Sequence, residues 1–309
     1  MGLVDGFYYG RAKIVTYSSA AADEGKIVKV ASTSTSSVWT GTFGEDLTLT
    51  FEVPMKDKYK IEVYDSTGTT VEYTTYQKAE YGGYYEVEVG LNTTTWTGIQ
   101  RILDAGEELN LLNIGDEITA VLTTGEEVIY QIAAINLYET HEVIYAPKYC
   151  LETAGKMNSS NTNAGGWTNC EMRTWLNETF FSELPEELQG LIADWETGVS
   201  SGSQATTIQY ATDKIKLPRE YEFFGATTYA AATEYSTAGA QQWPLFATAA
   251  NRTKTYGASG AACIVWEASP AASSAAYFCY VDTAGAANGY YASNANGVLP
   301  CFHLVASAT

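Results

Sequence analysis

From residue 12 to about residue 90 the chain is built of short runs in which β-branched and aromatic residues alternate with polar ones, each run cut off by a turn signal. That pattern leaves little room for anything but small antiparallel sheets. The clearest runs are Lys26-Ile27-Val28-Lys29-Val30, Leu47-Thr48-Leu49-Thr50-Phe51-Glu52-Val53, Tyr59-Lys60-Ile61-Glu62-Val63-Tyr64 and Tyr84-Tyr85-Glu86-Val87-Glu88-Val89. Side chains alternate between faces of a strand, so Ile61 and Val63 share one face while Lys60 and Glu62 share the other, as in a sheet buried on one side. Asp65-Ser66-Thr67-Gly68 then supplies a turn. Several such strands within about ninety residues imply an all-β, immunoglobulin-like sandwich over residues 1–92.

A second domain, α+β in class, is expected over residues 93–309. Trp96-Thr97-Gly98-Ile99-Gln100-Arg101-Ile102-Leu103-Asp104-Ala105-Gly106 reads as a short amphipathic helix stopped by glycine. Runs at 118–122 and 128–135 flank Thr124-Gly125-Glu126 as a hairpin. Residues 168–181 place Met172, Trp175, Leu176 and Phe180 near helical spacing, and Leu184-Pro185-Glu186-Glu187-Leu188 opens another helix. Beyond Gly190 the chain becomes polar and rich in glycine, with β signals at 262–266, 277–281 and 298–304. Loops of this kind on a folded scaffold are where binding residues concentrate.

Charge narrows the partners. The net charge is -19, so no basic stripe exists to neutralise phosphates, and neither nucleic acid nor an anionic membrane surface is an expected partner. Residues 226–309 hold only Glu234, Glu267 and Asp282 against Arg252 and Lys254, together with 24 alanines in no helical period. An acidic body thus carries a nearly neutral head of small residues. The first residues show no basic stretch followed by an apolar one, so no secretory leader is expected, and no apolar run approaches the length of a membrane span.

Chemistry finds little support in the motifs. Gly198-Val199-Ser200-Ser201-Gly202 matches a nucleophile elbow by letter, with Asp213 or Asp282 and then His303 following in order. The elbow requires a strand running into the serine and a helix leaving it, whereas the flanking residues read as a flexible polar loop; a serine hydrolase using Ser200 is the weakest of the readings. His141 and His303 are the two histidines, so a histidine-rich metal site and an H-E-x-x-H motif are excluded. His303, between Phe302 and Leu304, reads as a structural, hydrogen-bonded histidine, and His141 as a solvated one. Glu186-Glu187 suits the first turn of a helix better than a glycosidase pair. Neither a phosphate loop nor an EF-hand is present, and no local ligand spacing supports calcium. The five cysteines, Cys150, Cys170, Cys263, Cys279 and Cys301, form no C-x-x-C pair, which argues against a disulfide framework or structural zinc and for reduced, buried thiols. No catalytic residue, cofactor or metal is therefore expected.

Gly165-Gly166-Trp167 with Arg173-Thr174-Trp175-Leu176-Asn177, and Trp266-Glu267-Ala268-Ser269-Pro270 through Gly297-Val298-Leu299-Pro300-Cys301-Phe302-His303-Leu304, carry a resemblance. They resemble the C-type-lectin-fold domains, related in fold to formylglycine-generating enzymes, of phage tail and prophage proteins in gut bacteria; some of these are the variable proteins of diversity-generating retroelements. The resemblance covers about residues 96–304. That group often has a double tryptophan and an arginine where this chain has Val265-Trp266-Glu267-Ala268. It implies a non-enzymatic receptor-binding protein at the virion's tail, in contact with other tail proteins, usually a homotrimer, with a host-cell surface receptor (protein or glycan) as partner and the N-terminal sandwich as connector. A bacterial surface adhesin, or a structural tail component of fixed specificity, is the alternative. Formylglycine-generating activity does not carry over, because no catalytic cysteine pair matches.

The resemblance also implies variable positions within 257–304, and residues 271–296 have the Asn, Ser, Tyr, Ala, Gly, Asp and Thr mixture that adenine-directed mutagenesis produces. Such a mixture suits binding loops on physical grounds too: tyrosine offers rigid contact area at low entropic cost, while Ser, Asn and Gly adapt their hydrogen bonds. The candidate ligand contacts are Ser273, Ser274, Tyr277, Tyr280, Asn288, Tyr290, Tyr291, Ser293, Asn294 and Asn296. Trp266, Phe278, Val281, Val298, Pro300 and Phe302 are expected in the core. Strand parity sends Tyr277 and Tyr280 to opposite faces, and likewise the adjacent Tyr290 and Tyr291, so at most one of each pair is expected at the site unless the backbone is irregular.

Overall fold

The N-terminal runs form strands β1 (Arg11–Tyr17), β2 (Ile27–Ser32), β3 (Val38–Thr42), β4 (Thr48–Pro54), β5 (Asp57–Tyr64), β6 (Val71–Ala79) and β7 (Tyr84–Glu88). The computed structural model describes residues 11–18, 23–89, 93–236 and 241–307. Two compact units divide the chain, Met1–Arg101 and Ile102–Thr309. In the first, the strands make two sheets, ordered β4-β1-β7 and β3-β2-β5-β6. β1 runs parallel to β7 and antiparallel to β4. Alternation decides which side chains turn inward: Ile14, Val28, Val30, Val53, Tyr59 and Ile61 are wholly buried. Lys60 and Glu62, on the other face of β5, pair with each other at 2.6 Å. At the β5–β6 turn the Asp65 carboxylate accepts from the Thr67 hydroxyl and the Thr69 N–H, while Gly68 takes a positive φ of 73°.

The second unit is also predominantly β, in several small sheets with short helices between them. Helix α1 (Trp96–Asp104) spans the division between the units and is followed by Gly106 at φ 69°. After α2 (Glu108–Leu111), strands β8 (Glu117–Val121) and β9 (Glu127–Ile135) form the hairpin around Gly125. β10 (Glu142–Pro147) is buried along its whole length, so it reads as a central strand, and the sheet order is β20-β10-β9-β8, with β20 spanning Phe302–Val305. Phe302 closes this sheet's core, its ring centroid 4.8 Å from that of Tyr130 and 5.4 Å from that of Tyr145. All of the cysteines are free and buried. Among the described residues no helix is long and apolar enough to cross a membrane.

The remaining strands are β11 (Gly155–Lys156), β12 (Trp195–Ser200), β13 (Ile208–Asp213), β14 (Lys254–Thr255), β15 (Ala262–Cys263), β16 (Val265–Pro270), β17 (Tyr277–Val281), β18 (Ala287–Tyr291) and β19 (Ala295–Asn296). β11 pairs with β19, β12 with β13, β14 with β15, and β16, β17 and β18 make one sheet in that order.

Two expectations need correction. The helix expected over 168–181 is interrupted: α3 (Glu171–Trp175) passes through a π-helical turn, Leu176–Phe180, into α4 (Phe181–Glu183). Asn177 supplies the reason, since its amide donates to Arg173 O and Ile215 O and accepts from the N–H groups of Lys214 and Ile215. A side chain that joins the helical ladder displaces its i→i−4 bonds. The segment around Ser200, expected as a flexible polar loop, is instead strand β12, with all but Glu196 buried. Its polar character misleads because its partners are distant: the Ser200 N–H donates to Glu234, and Arg219 donates to Gly198 O. Beyond these, α5 (Glu186–Leu191) begins after Pro185 as expected, and α6 (Glu220–Phe224) ends at Gly225 with φ 70°. Phe302→Ala should lower the unfolding free energy of the second unit by about 3–5 kcal/mol, the usual cost of an emptied aromatic site; a loss under about 1 kcal/mol in urea denaturation would contradict this packing.

Candidate functional site

β18 is the edge strand of its sheet, and register decides what it displays. Tyr277 pairs across the ladder with Tyr291, and Phe278 with Tyr290, while Tyr280 pairs with Asn288. The tyrosines therefore sort by face. Tyr277 and Tyr291 meet edge to face with ring centroids 4.6 Å apart. Tyr280 and Tyr290 meet on the other face at 5.9 Å, and Tyr280 leans edge-on against the buried Trp266. Tyr290 and Tyr291 remain 39% and 42% exposed at the sheet edge, so both faces present a ring to solvent there.

Of the ten candidate residues, Ser273, Tyr290 and Tyr291 are exposed, and Ser274, Tyr277, Asn288, Ser293 and Asn294 are half-buried. Tyr280 and Asn296 lie in the buried layer instead. Tyr280 is covered because β17 is the central strand, and Asn296 because β19 pairs with β11. Trp266, Phe278, Val281, Val298, Pro300 and Phe302 are all buried.

The loops around the hairpin are held by one residue that composition does not single out. Asn163 is wholly buried. Its amide donates to Ser274 O and Tyr277 O, at 2.8 and 2.7 Å, and its oxygen accepts from the Ser203 N–H at 2.8 Å. Its backbone N–H donates to Ala275 O. Three segments distant in sequence are thereby fixed to one another. Gly202 is required at this junction, since a Cβ there would lie 1.7 Å from Asn163 O. Ser293 is anchored similarly, donating from its hydroxyl to Asn161 at 2.6 Å. Asn163→Ala should cost about 2–4 kcal/mol, because it leaves the Ser274 carbonyl and the Ser203 N–H without their partner and takes one of two donors from Tyr277 O, which keeps the Ala271 N–H. Urea denaturation measures this; a change within about 0.5 kcal/mol would show the junction is held by other contacts.

Below the surface lies a second polar group of residues. Glu222 on α6 accepts from Lys216 at 2.6 Å, from the Arg219 guanidinium at 3.0 Å and from the Tyr138 hydroxyl at 3.1 Å, all on one oxygen. The other oxygen takes the Arg219 N–H at 2.7 Å. Burial alone would raise this carboxyl, yet the adjoining Arg219 and Lys216 charges hold it down at about 2. The Lys216 ammonium also sits over the Trp195 ring, 4.3 Å from its centroid. These groups line a cavity of about 450 Å³ with Glu142 and His303. A larger cleft of about 550 Å³ opens beside β11, between Lys156, Glu171, Met172 and Trp175, and shares none of the ten candidate residues.

The serine–histidine elements do not converge through any hydrogen bond. His303 is buried, bonded to Glu142 at 2.7 Å and to Asp194 O at 3.3 Å, and stacked on Trp195. Asp213 is taken by Trp167, Arg173 and Asn177, and Asp282 by the N–H groups of Ala284 and Ala286. His141, expected in solvent, keeps its side chain 43% exposed but binds the buried Glu108 at 3.0 Å.

Because Glu222 titrates lower in the folded chain than its ordinary 4.5, the stability from its ion pairs is complete above that pH and is lost as pH falls toward about 2. Glu222→Gln should flatten this acid limb and cost about 3–5 kcal/mol at neutral pH by leaving two buried cations short of a partner. An unchanged acid limb in pH-dependent urea denaturation would refute this.

No curated protein and no solved structure matches the chain. A family model described as a domain of unknown function, DUF6273, matches residues 140–306, more than half of the chain, from just before β10 through β20. The chain belongs to the DUF6273 family.

Proposed function

We propose that this chain is a non-enzymatic receptor-binding protein of a phage or prophage tail, with the β17–β18 hairpin and its flanking loops as the contact surface. In this reading the first unit is an immunoglobulin-like connector and the second a C-type-lectin-like binding domain, assembled as a homotrimer at the tail and diversified by a retroelement. The two sheets of the first unit, with their alternating burial, support the former assignment. Long loops held over small sheets support the latter.

One observation carries the proposal: Tyr290 and Tyr291 stand exposed on an edge strand, one on each face, with Asn288 on the same strand and Ser293 and Asn294 just beyond it, in a hairpin whose first strand and preceding loop are fixed by Asn163. Rigid aromatic anchors among adaptable polar groups are the composition of a binding surface, and tyrosines dominate the energy of many interfaces. The scarcity of charge in residues 226–309 fits a neutral protein or glycan receptor. Apart from the binding side chains, no group at this surface is asked to do chemistry.

The test is binding of the labelled full chain to a panel of gut bacterial cells. Tyr290→Ala with Tyr291→Ala should weaken capture by about tenfold or more while lowering the melting temperature only modestly, since the rings are 39% and 42% exposed and each packs edge-on against one neighbouring tyrosine. Undiminished capture by the double variant, or capture by no cell in the panel, would overturn the reading. Among sibling genes, substitutions confined to the surface codons favour a diversified protein, and substitutions spread evenly favour an adhesin of fixed specificity.

A further inference from the structure

The sheet that carries the tyrosines contains an interruption. β16 pairs with β17 at Val265↔Val281 and Trp266↔Tyr280, then resumes at Pro270↔Phe278. Glu267, Ala268 and Ser269 are left as a bulge beside Cys279, and all three are wholly buried. The neighbours of Glu267 in the bulge find partners: the Ala268 N–H donates to Pro218 O, and the Ser269 hydroxyl donates to Glu234 at 2.6 Å. Glu267 does not. Both of its carboxylate oxygens lack a hydrogen-bond partner although the side chain has no exposure.

Glu267 faces Glu220 and Cys279. One oxygen of each carboxylate and the Cys279 Sγ lie within 4.8 Å of one another. Glu220, at the start of α6, is held in place by the N–H groups of Thr228, Tyr229 and Ala230. The surrounding charge is unbalanced: the buried glutamates 220, 222, 234 and 267 face the buried Lys216 and Arg219, which are both committed to Glu222. One divalent cation would offset two of these charges, leaving a single negative charge once the Cys279 thiol has also given up its proton.

We propose that Glu220, Glu267 and Cys279 form a structural binding site for a divalent cation of the zinc class. Three donor atoms converge, one each from Glu220, Glu267 and Cys279, and the second Glu267 oxygen is likewise without a partner. Zinc accepts carboxylate oxygen and thiolate together, whereas calcium and magnesium select oxygen alone. Burial, with the charges of Glu220 and Glu234 added, drives the Glu267 carboxyl well above its ordinary range, and burial does the same to the Cys279 thiol. Protonating Glu267 would remove one charge, and its O–H would then have to turn towards the Glu220 carboxylate, which already accepts from the Thr228, Tyr229 and Ala230 N–H groups. A cation relieves the repulsion and satisfies both oxygens, with the thiol proton released to solvent on binding. Since the site is closed, the ion enters as the chain folds. It joins α6, β16 and β17 beneath the Tyr277–Tyr291 face, and it stands independently of what that face binds.

The experiment is elemental analysis of the full chain, refolded with zinc and dialysed against metal-free buffer. Stoichiometric zinc is expected in the parent chain and in a Cys150→Ala/Cys263→Ala control, and none in Glu267→Gln or Cys279→Ala. With cobalt in place of zinc, a near-ultraviolet thiolate-to-cobalt band should appear in the parent chain and be missing from Cys279→Ala. In chelator, Glu267→Gln should melt above the parent chain, because it removes an unpaired acid from the core; this also verifies that the variant folds. Metal-free parent protein whose melting temperature is unmoved by zinc during refolding would overturn the proposal, as would zinc retained by both Glu267→Gln and Cys279→Ala.

Discussion

A single buried carboxylate, that of Glu222, organises the polar interior of the second unit. Lys216 and Arg219 approach it from the segment that follows β13, Tyr138 from the turn between β9 and β10, and the Trp243 indole reaches it through the Tyr138 hydroxyl. The Trp243 N–H also donates to Glu222 O. Buried charges are tolerated only when each finds partners, so these segments cannot shift independently. Lys216 in turn exchanges backbone hydrogen bonds with Cys301, next to β20. The long irregular stretch after residue 190 is thereby fastened to the strand that ends the fold. Loops without a regular ladder become rigid through such long-range bonds, and the tyrosine hairpin inherits that rigidity.

The hairpin shows how a chain can keep its support and its display separate. Asn163 bonds to backbone carbonyls of Ser274 and Tyr277 and to the backbone N–H of Ser203. Backbone atoms are the same whatever side chain a position carries. Replacement of the exposed side chains at Ser273, Tyr290 or Tyr291 therefore leaves the junction in place. A surface proposed to vary under mutation requires this arrangement, and strand parity supplies the rest by placing one tyrosine of each pair on each face.

Much of this was legible in the sequence where a local rule suffices. Alternation placed Ile61 and Val63 inward, Thr124-Gly125-Glu126 made its hairpin, and the apolar residues from Trp266 to Phe302 went to the core. What the sequence concealed depends on partners far away in the chain. β12 looks like a polar loop until Glu234 and Arg219 are brought beside it. Asn177 looks like an ordinary helical residue until Lys214 and Ile215 offer their N–H groups. The Glu220, Glu267 and Cys279 group has no motif at all, because α6, β16 and β17 each contribute one residue and metal motifs are recognised by close spacing. Tyr280 and Asn296 were misplaced for a related reason: which strand is central and which short strand is covered cannot be read from parity alone.

Alanine, so abundant in the last part of the chain, serves two different ends once the fold is known. Ala268, Ala271 and Ala292 are buried, the first where β16 bulges and the other two at the open end of the β17–β18 hairpin, where their N–H groups donate to Tyr277 O and Ala276 O. Larger side chains there would overpack the core. Ala275, Ala284, Ala286 and Ala295 are exposed, and no packing constraint calls for a small residue at those places. Their effect is on the surface: each methyl group contributes little contact area, so the bulk available to a partner is concentrated in Tyr290 and Tyr291, with the half-buried Tyr277 beside them. On the proposed reading, recognition rests on very few side chains, and a change at either exposed tyrosine alters affinity far more than a change at any neighbouring alanine, until one of those alanines is itself replaced by something larger.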